Sequence, residues 1–251
     1  MAIYISDGNV KYAFKTSGVV DYNAAYTVAL WVRIASFGNG SSKAYFWSSN
    51  AASGNNWDAL GTNSSGNLIL GVASAADGTN AETAGSTTLA LDTWYSVVLV
   101  RNSATDRKVY LNGVQEISAT TATASRTAVS KEFVGTRSDG YGCSAALSDF
   151  MHWSRALAVA EITAQRRSAR PVSLNSLATW VPARRTTIAA AWAALKGQTW
   201  ATNFSAPSVE QSPSVSMGGR VLAVGNGSIL DASPVTGSDG IFGPLWSAVW
   251  S

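Results

Sequence analysis

Residues 88–114 read TLALDTWYSVVLVRNSATDRKVYLNGV. Trp94 to Arg101 and Lys108 to Leu111 are rich in β-branched and aromatic side chains, and the short polar NSATD between them suits a hairpin. Asn112-Gly113 tolerates the positive φ of a tight turn and supplies the way out of the second run. Working outward, Tyr26 to Ile34 alternates, with Val28, Leu30, Val32 and Ile34 on one side and Thr27, Ala29, Trp31 and Arg33 on the other. Both sides are largely apolar, which predicts a central strand covered on both faces. Ala44–Trp47 and Asn67–Ala73 read as strands separated by a polar loop, SSNAASGNNWDALGTNSSG, and Lys131–Val134 and Asp149–Ser154 complete the set.

Composition narrows the class. Of 251 residues 13% are charged and 46% hydrophobic, which excludes a disordered chain and a coiled coil. Ten Trp, eight Tyr and seven Phe suit packed β-structure or interfaces. A single cysteine, Cys143, forms no intramolecular disulfide, and a single histidine, His152, excludes sites that need several. The opening MAIYISDGNVKYAF has no basic, apolar signal character, and no apolar run approaches the roughly 20 residues of a membrane helix. A soluble chain made in a host cytoplasm, without a membrane partner, is expected. Between 155 and 196, Arg155, Arg166, Arg167, Arg170, Arg184, Arg185 and Lys196 face Glu161 alone. No nucleic-acid motif accompanies them, so solvated loops and a helix end are expected rather than a nucleic-acid partner.

The pattern changes at Arg155–Arg167 (RALAVAEITAQRR), which predicts a short helix with Leu157 and Ile162 inward, its late arginines matched to the helix dipole, and Pro171 beyond it. Thr187–Lys196 reads as a second helix by propensity. From Ser205 to Ser251 the only charges are Glu210, Arg220, Asp231 and Asp239, while Val221–Val224 and Ile229–Leu230 read as short strands. The aromatic, uncharged end predicts contacts. The expected organisation is a domain at 1–204 and an irregular extension at 205–251 used for assembly, with Phe242, Trp246 and Trp250 buried between copies in a homo-oligomer.

Four segments together resemble the laminin G-like, concanavalin A-like lectin/glucanase superfamily: YTVALWVRI at 26–34, TLALDTWYSVVLVRN at 88–102, KVYLNGV at 108–114 and LSDFMHWSRALAVAEI at 147–162. They occur in the order of that family's "aWv", "tWyhval", "yvNGv" and "dDvriwnraLsaaEi" elements. The resemblance implies an all-β jelly-roll sandwich of two antiparallel sheets with one or two short helices. Residues 177–215 resemble in part a "yWpl … tWa … sPpv" element of bacteriophage virion proteins, with TTIAAAWAALKGQ in place of its glycine-rich part. Such an element returns to the sandwich as edge strands, at the expense of the helix at 187–196.

Glycosidases of this superfamily flank the scissile bond with clustered carboxylates. Here Glu82, Glu116, Glu132, Glu161 and Glu210 each lack an Asp or Glu within three residues, so no catalytic residue is expected. Cys143 and His152 are each alone of their kind; His152, between Met151 and Trp153, reads as a half-buried structural histidine rather than half of a thiol–imidazole pair. No phosphate loop, dinucleotide fingerprint or metal-ligand spacing occurs. Calcium is the one ion the resemblance allows, through loop residues such as Asp58, Asp77 and Asp139, for each of which turn formation is the competing role. Trp31, Trp94 and Trp153 lie on predicted strands and read as core. Trp57 with Asp58, and Tyr141, fall in Gly-rich stretches that suit a sugar-binding rim, with loop packing or a protein interface as the competing reading. Two functions follow as expectations: a non-enzymatic structural protein of a bacteriophage particle, in capsid decoration or the tail, or a carbohydrate-binding module for cell-surface glycans.

Overall fold

The computed structural model describes residues 2–5, 13–16, 18–38, 43–51, 56–124, 126, 128–137, 141–168 and 170–181, and strand segments at 201–202, 209–210, 222–225 and 228–231. Strands β1 (Ala2–Ile5) and β2 (Ala13–Lys15) open the chain, followed by β3 (Tyr26–Ser36), β4 (Lys43–Ala51), β5 (Trp57–Asn63), β6 (Asn67–Ser74) and β7 (Thr79–Thr88). Next come β8 (Trp94–Ser103), β9 (Asp106–Leu111), β10 (Val114–Ala119), β11 (Val129–Val134) and β12 (Ser144–Trp153). Helix α1 (Val159–Gln165) precedes β13 (Leu177–Val181), β14 (Ala201–Thr202), β15 (Val209–Glu210), β16 (Leu222–Gly225) and β17 (Ser228–Asp231). The chain divides into two compact units, Met1–Ser214 and Val215–Ser251.

In the first unit two antiparallel sheets form a jelly-roll sandwich. The eight-stranded sheet runs β10-β9-β8-β3-β12-β1-β15, with β13 also on β12; the seven-stranded sheet runs β14-β2-β11-β4-β5-β6-β7. β3 is central as its two apolar sides require, between β8 and β12. Its alternation places Val28, Leu30, Val32 and Ile34 in the core between the sheets, with Val97 and Leu99 beside them and Phe46, Trp47, Leu60, Leu70 and Val72 from the opposite sheet. The expected hairpin pairs Val97 with Leu111, and Asn112 (φ 50°) and Gly113 (φ 82°) make the turn into β10.

Two partners share one edge of β12, β1 along Ala145–Leu147 and β13 along Phe150–Trp153. On its other edge the register with β3 slips between Ser148 and Met151, where Asp149 holds φ 51°. The outer face of the eight-stranded sheet is also apolar: Val98, Val100, Tyr110, Met151 and Trp153 pack under Leu157 and Ile162. The segment carrying α1 therefore roofs this face.

Several expectations need correction. Residues 48–66 are not one loop, because β5 lies inside them and pairs with both β4 and β6. Its inward row includes Asp58 and Thr62, so it lacks the apolar alternation that marks a strand, and buried hydrogen bonds stabilise it instead. β7 and β10 were likewise invisible as apolar runs, and both are edge strands whose side chains are largely exposed or half-buried. The helix starts at Val159, not Arg155. Ala158 is extended (ψ 155°), and Glu161 turns back to accept its N–H at 2.9 Å while pairing with Arg155, which fixes the helix start. Leu157 and Ile162 are inward as expected, but the last turn carries no basic residue: Arg166 is the C-cap, and its Nη1 donates to Asn112 O at 2.9 Å.

β13, β14 and β15 add strands from the 177–215 region to the two sheets, and β15 does so beyond residue 204. The helix expected at 187–196 lies outside the described residues. In the second unit β16 and β17 form an antiparallel hairpin, where two short strands were expected; Phe242, Trp246 and Trp250 lie outside the described residues.

Candidate functional site

The outer face of the seven-stranded sheet carries an aromatic cluster. Along β4, Tyr45 points away from the core while Ala44 and Phe46 enter it; along β5, Trp57 and Ala59 point outward while Leu60 enters it. Ile69 and Ala73 of β6 complete the apolar floor, and Tyr141 packs against it. Gly71 makes room for the indole: a Cβ there would lie 2.6 Å from Trp57 Cζ3. Tyr45 is the hub, with ring centroids 6.5 Å from Trp57 and 6.4 Å, edge-on, from Tyr141. Its backbone N–H donates to Tyr141 O at 3.1 Å, which ties the 141–143 segment to β4.

Arg137 lies over this cluster. Its guanidinium carbon is 4.3 Å from the Trp57 ring centroid, 4.9 Å from that of Tyr45 and 4.8 Å from that of Tyr141, a cation–π contact to three rings at once. Ser48 Oγ donates to Thr136 O at 3.1 Å and helps position the residue before it. At the margin, Lys43 Nζ is 2.7 Å from Glu82 Oε2, and Tyr45 Oη donates to the other oxygen of Glu82. Among the described residues Arg137, Tyr141, Lys43 and Glu82 offer the accessible surface beside a covered aromatic floor: Tyr45 is 0% and Trp57 6% exposed.

Trp57 and Tyr141, distant in sequence, therefore share one cluster, but Trp57 is strand-borne floor and not loop rim. Asp58 is corrected more sharply, since β-alternation turns it inward, fully buried. It accepts from Arg126 Nη1 at 2.8 Å, Arg126 Nη2 at 3.0 Å and Tyr26 Oη at 2.6 Å. Burial pushes its pKa up, but the charge and hydrogen bonds of Arg126 outweigh that and hold the carboxyl below its ordinary value. Arg126 also stacks 3.9 Å from the Tyr22 ring centroid.

A second buried polar group bridges the sheets. Lys15 Nζ is 3.0 Å from Glu132 Oε2 and donates to Thr179 Oγ1 at 2.6 Å, while Trp47 Nε1 donates to Glu132 Oε1 at 2.9 Å. His152 is fully buried rather than half-buried, with Nδ1 3.8 Å from Glu132 Oε2. Burial lowers its pKa to about 4, against the opposing pull of Glu132, so the ring is neutral at pH 7. Trp31 and Trp153 are buried and Trp94 is half-buried.

The other carboxylates serve local structure. Glu116 accepts from Thr87 N–H at 2.6 Å and Thr87 Oγ1 at 2.8 Å, fastening β10 to β7. Asp77 accepts from the N–H groups of Thr79 and Ala124, a turn role; Asp139 lies outside the described residues. Among the described residues no group of three or more His, Cys, Asp or Glu is placed to hold a metal ion. Sequence reasoning missed Tyr45, Arg137, Lys43 and Glu82. The only local signal was Arg137 four positions before Tyr141 in RSDGY.

The family model of the Concanavalin A-like lectin/glucanases superfamily matches residues 7–163. Among solved structures, a native heptameric SAP-like pentraxin from Limulus polyphemus is 19% identical with a TM-score of 0.52, over 69% of this chain and 84% of that one. A protein from Bacteroides ovatus assigned to carbohydrate binding is 13% identical with a TM-score of 0.61, over 84% of this chain and 60% of that one. No curated protein matches the chain in sequence.

Proposed function

The chain belongs to the concanavalin A-like lectin/glucanase superfamily, and from that premise we propose that it is a non-enzymatic module that binds glycan on the outer face of its seven-stranded sheet. The observation that carries this reading is the assembly of Tyr45, Trp57, Tyr141 and Arg137 on that face. The opposite face, by contrast, is roofed by the α1 segment. Sugar rings stack their apolar faces on aromatic side chains and direct hydroxyls to charged neighbours, and Tyr141, Arg137, Lys43 and Glu82 offer both kinds of group. The non-enzymatic part is supported by the engagement of Glu82, Glu116, Glu132 and Glu161 in separate structural contacts.

The test is a glycan array followed by titration of the best ligand against wild type, Tyr141→Ala and, as a control, Leu174→Ala, an exposed residue between α1 and β13. Tyr141→Ala should weaken binding about tenfold, the order of one lost stacking contact, and Leu174→Ala should leave it unchanged. Titrations with and without calcium decide whether the ion takes part. A blank array overturns the reading.

A second reading, a structural role in a bacteriophage particle with virion proteins or further copies of the chain as partners, is favoured by composition. Residues 205–251 hold only four charges but include Phe242, Trp246 and Trp250. Light scattering of the full chain should then show an oligomer, and a monomer at micromolar concentration counts against this role.

A further inference from the structure

We infer that the interior of the first unit holds a binding site for a halide ion between Arg101 of β8 and Arg107 of β9, at the end of the sandwich nearest the β8–β9 turn. The first ground is register. Tyr26, Arg101, Arg107 and Ala119 are successive Cα partners across β3, β8, β9 and β10. Alternation puts this row on the core side, because Val97 and Leu99 before Arg101, and Val109 and Leu111 after Arg107, line the core between the sheets. Two guanidinium side chains are therefore directly opposite one another on a buried face, their Cβ atoms about 5 Å apart. Arg101 is 3% and Arg107 0% exposed. Like charges so placed repel, and burial removes the water that would screen them.

The second ground is what these side chains bond. Arg101 Nη1 donates to Ala24 O at 2.7 Å. Arg107 Nη1 donates to Ala104 O at 2.9 Å and Thr121 O at 3.0 Å, and its Nη2 to Thr123 Oγ1 at 2.8 Å. All four acceptors are neutral. The Nε–H of each arginine is buried without an acceptor, the signature of a group that bonds a water or an ion. Asp58, facing them from β5, is taken by two hydrogen bonds from Arg126 and one from Tyr26. Tyr26 adds no negative charge, since burial and Asp58 hold its phenol well above its ordinary pKa. Arg126 brings a third buried guanidinium, so three of them meet one buried carboxylate among the described residues here. Ser125 and Thr127, beside Arg126, lie outside the described residues and are uncharged. The outlying Asp21, Asp77 and Asp106 accept from Asn23, from Thr79 and Ala124, and from Asn102 with Lys108 alongside. An anion between Arg101 and Arg107 accepts both Nε–H groups and turns the repulsion into a bridge. With most other N–H groups of the pair engaged, few donors remain, which suits a monatomic ion. Exposed Asn102 and Ser103 follow Arg101, so the ion has a short way in from solvent.

Thermal unfolding of the full chain in sodium chloride and sodium bromide is compared with sodium isethionate, a bulky organic anion, at equal ionic strength. Wild type should unfold about 3 °C higher in the halides. Arg101→Met removes one of the opposed cations and should remove that difference. Arg167→Met, at an exposed arginine, should keep it, which separates the site from general salt effects. A crystal grown in bromide should show an anomalous peak between Arg101 and Arg107. Wild-type unfolding indifferent to the anion, a difference that survives Arg101→Met, or bromide absent from that position and found on exposed arginines (an adventitious ion only) each overturns the inference. Should Arg101→Met lose its fold, judged by circular dichroism, the wild-type salt comparison and the bromide map decide the question.

Discussion

Trp57 and Asp58 are consecutive residues of β5 that serve opposite sides of one sheet. Trp57 floors the outer aromatic cluster, and Asp58 receives two hydrogen bonds from Arg126 in the interior. The strand thereby couples the candidate binding face to the buried Arg126, whose Nη1 also donates to the carbonyls of Trp57 and Ala73 at 3.2 Å.

Removing one member of that pair strands a buried charge. Asp58→Ala is expected to destabilise the fold by about 3–5 kcal/mol, read from urea unfolding. The double change Asp58→Leu with Arg126→Met should cost much less, since no uncompensated charge is left. A single-variant loss below about 1 kcal/mol would show that the pair contributes no more than a surface one.

Acid should weaken the fold through His152. Its folded pKa of about 4 lies below the ordinary 6.5, so between those values the unfolded chain binds a proton that the folded chain refuses. Stability is therefore lost as pH falls from about 6.5 toward 4, by about 3 kcal/mol in the limit of this group acting alone. Glu132, whose Oε2 is 3.8 Å from Nδ1, and Lys15 act on the same ring with opposite sign. His152→Leu should flatten the urea midpoint across that pH range, and an unchanged slope would assign the acid sensitivity to other groups.

The β7–β10 seam depends on one side chain. Glu116→Gln keeps the shape but replaces charge-assisted acceptance from Thr87 by a neutral one, and on this partly exposed edge about 1 kcal/mol should be lost. Hydrogen exchange at the Thr87 amide should speed up with it, while the β3 amides stay protected. Unchanged exchange at Thr87 would mean that Glu116 does not hold the seam.

Cys143 should be silent in the native state. It is 2% exposed, and burial pushes its thiol pKa up to about 12, so neither access nor thiolate favours reaction. A thiol reagent should modify it in 8 M urea and not in buffer at pH 8; rapid native labelling would reveal an opening of the segment that leads into β12.

β3 and the β8–β9 hairpin were legible because β-branched residues alternate along them and Asn112-Gly113 marks the turn. β5 was not, because its inward row mixes Leu60 with Asp58 and Thr62, whose burial depends on partners far along the chain. β7 (TNAETAGSTT) offers no apolar period, as an edge strand stabilised by backbone pairing with β6 and by Glu116 needs none. At the candidate site Trp57 and Tyr141 stood out as aromatics among glycines. Tyr45 hid in the apolar run of β4, and Arg137 looked like any loop cation. Residues 45 and 137 meet because the chain continues past β11 beside β4, with Gly135 N–H donating to Phe46 O at 2.9 Å and Tyr45 N–H to Tyr141 O at 3.1 Å.

The central position of β3 also sets a timetable. Its β12 neighbour ends at Trp153, 117 residues after Ser36. At about 5–20 residues per second a ribosome needs roughly 6–25 s to make that stretch. Throughout that interval one hydrogen-bonding edge of this long apolar strand has no native mate. A nascent chain in this state offers other growing copies an open template, so recovery of soluble protein should improve at lower temperature and slower initiation, when fewer half-made chains meet.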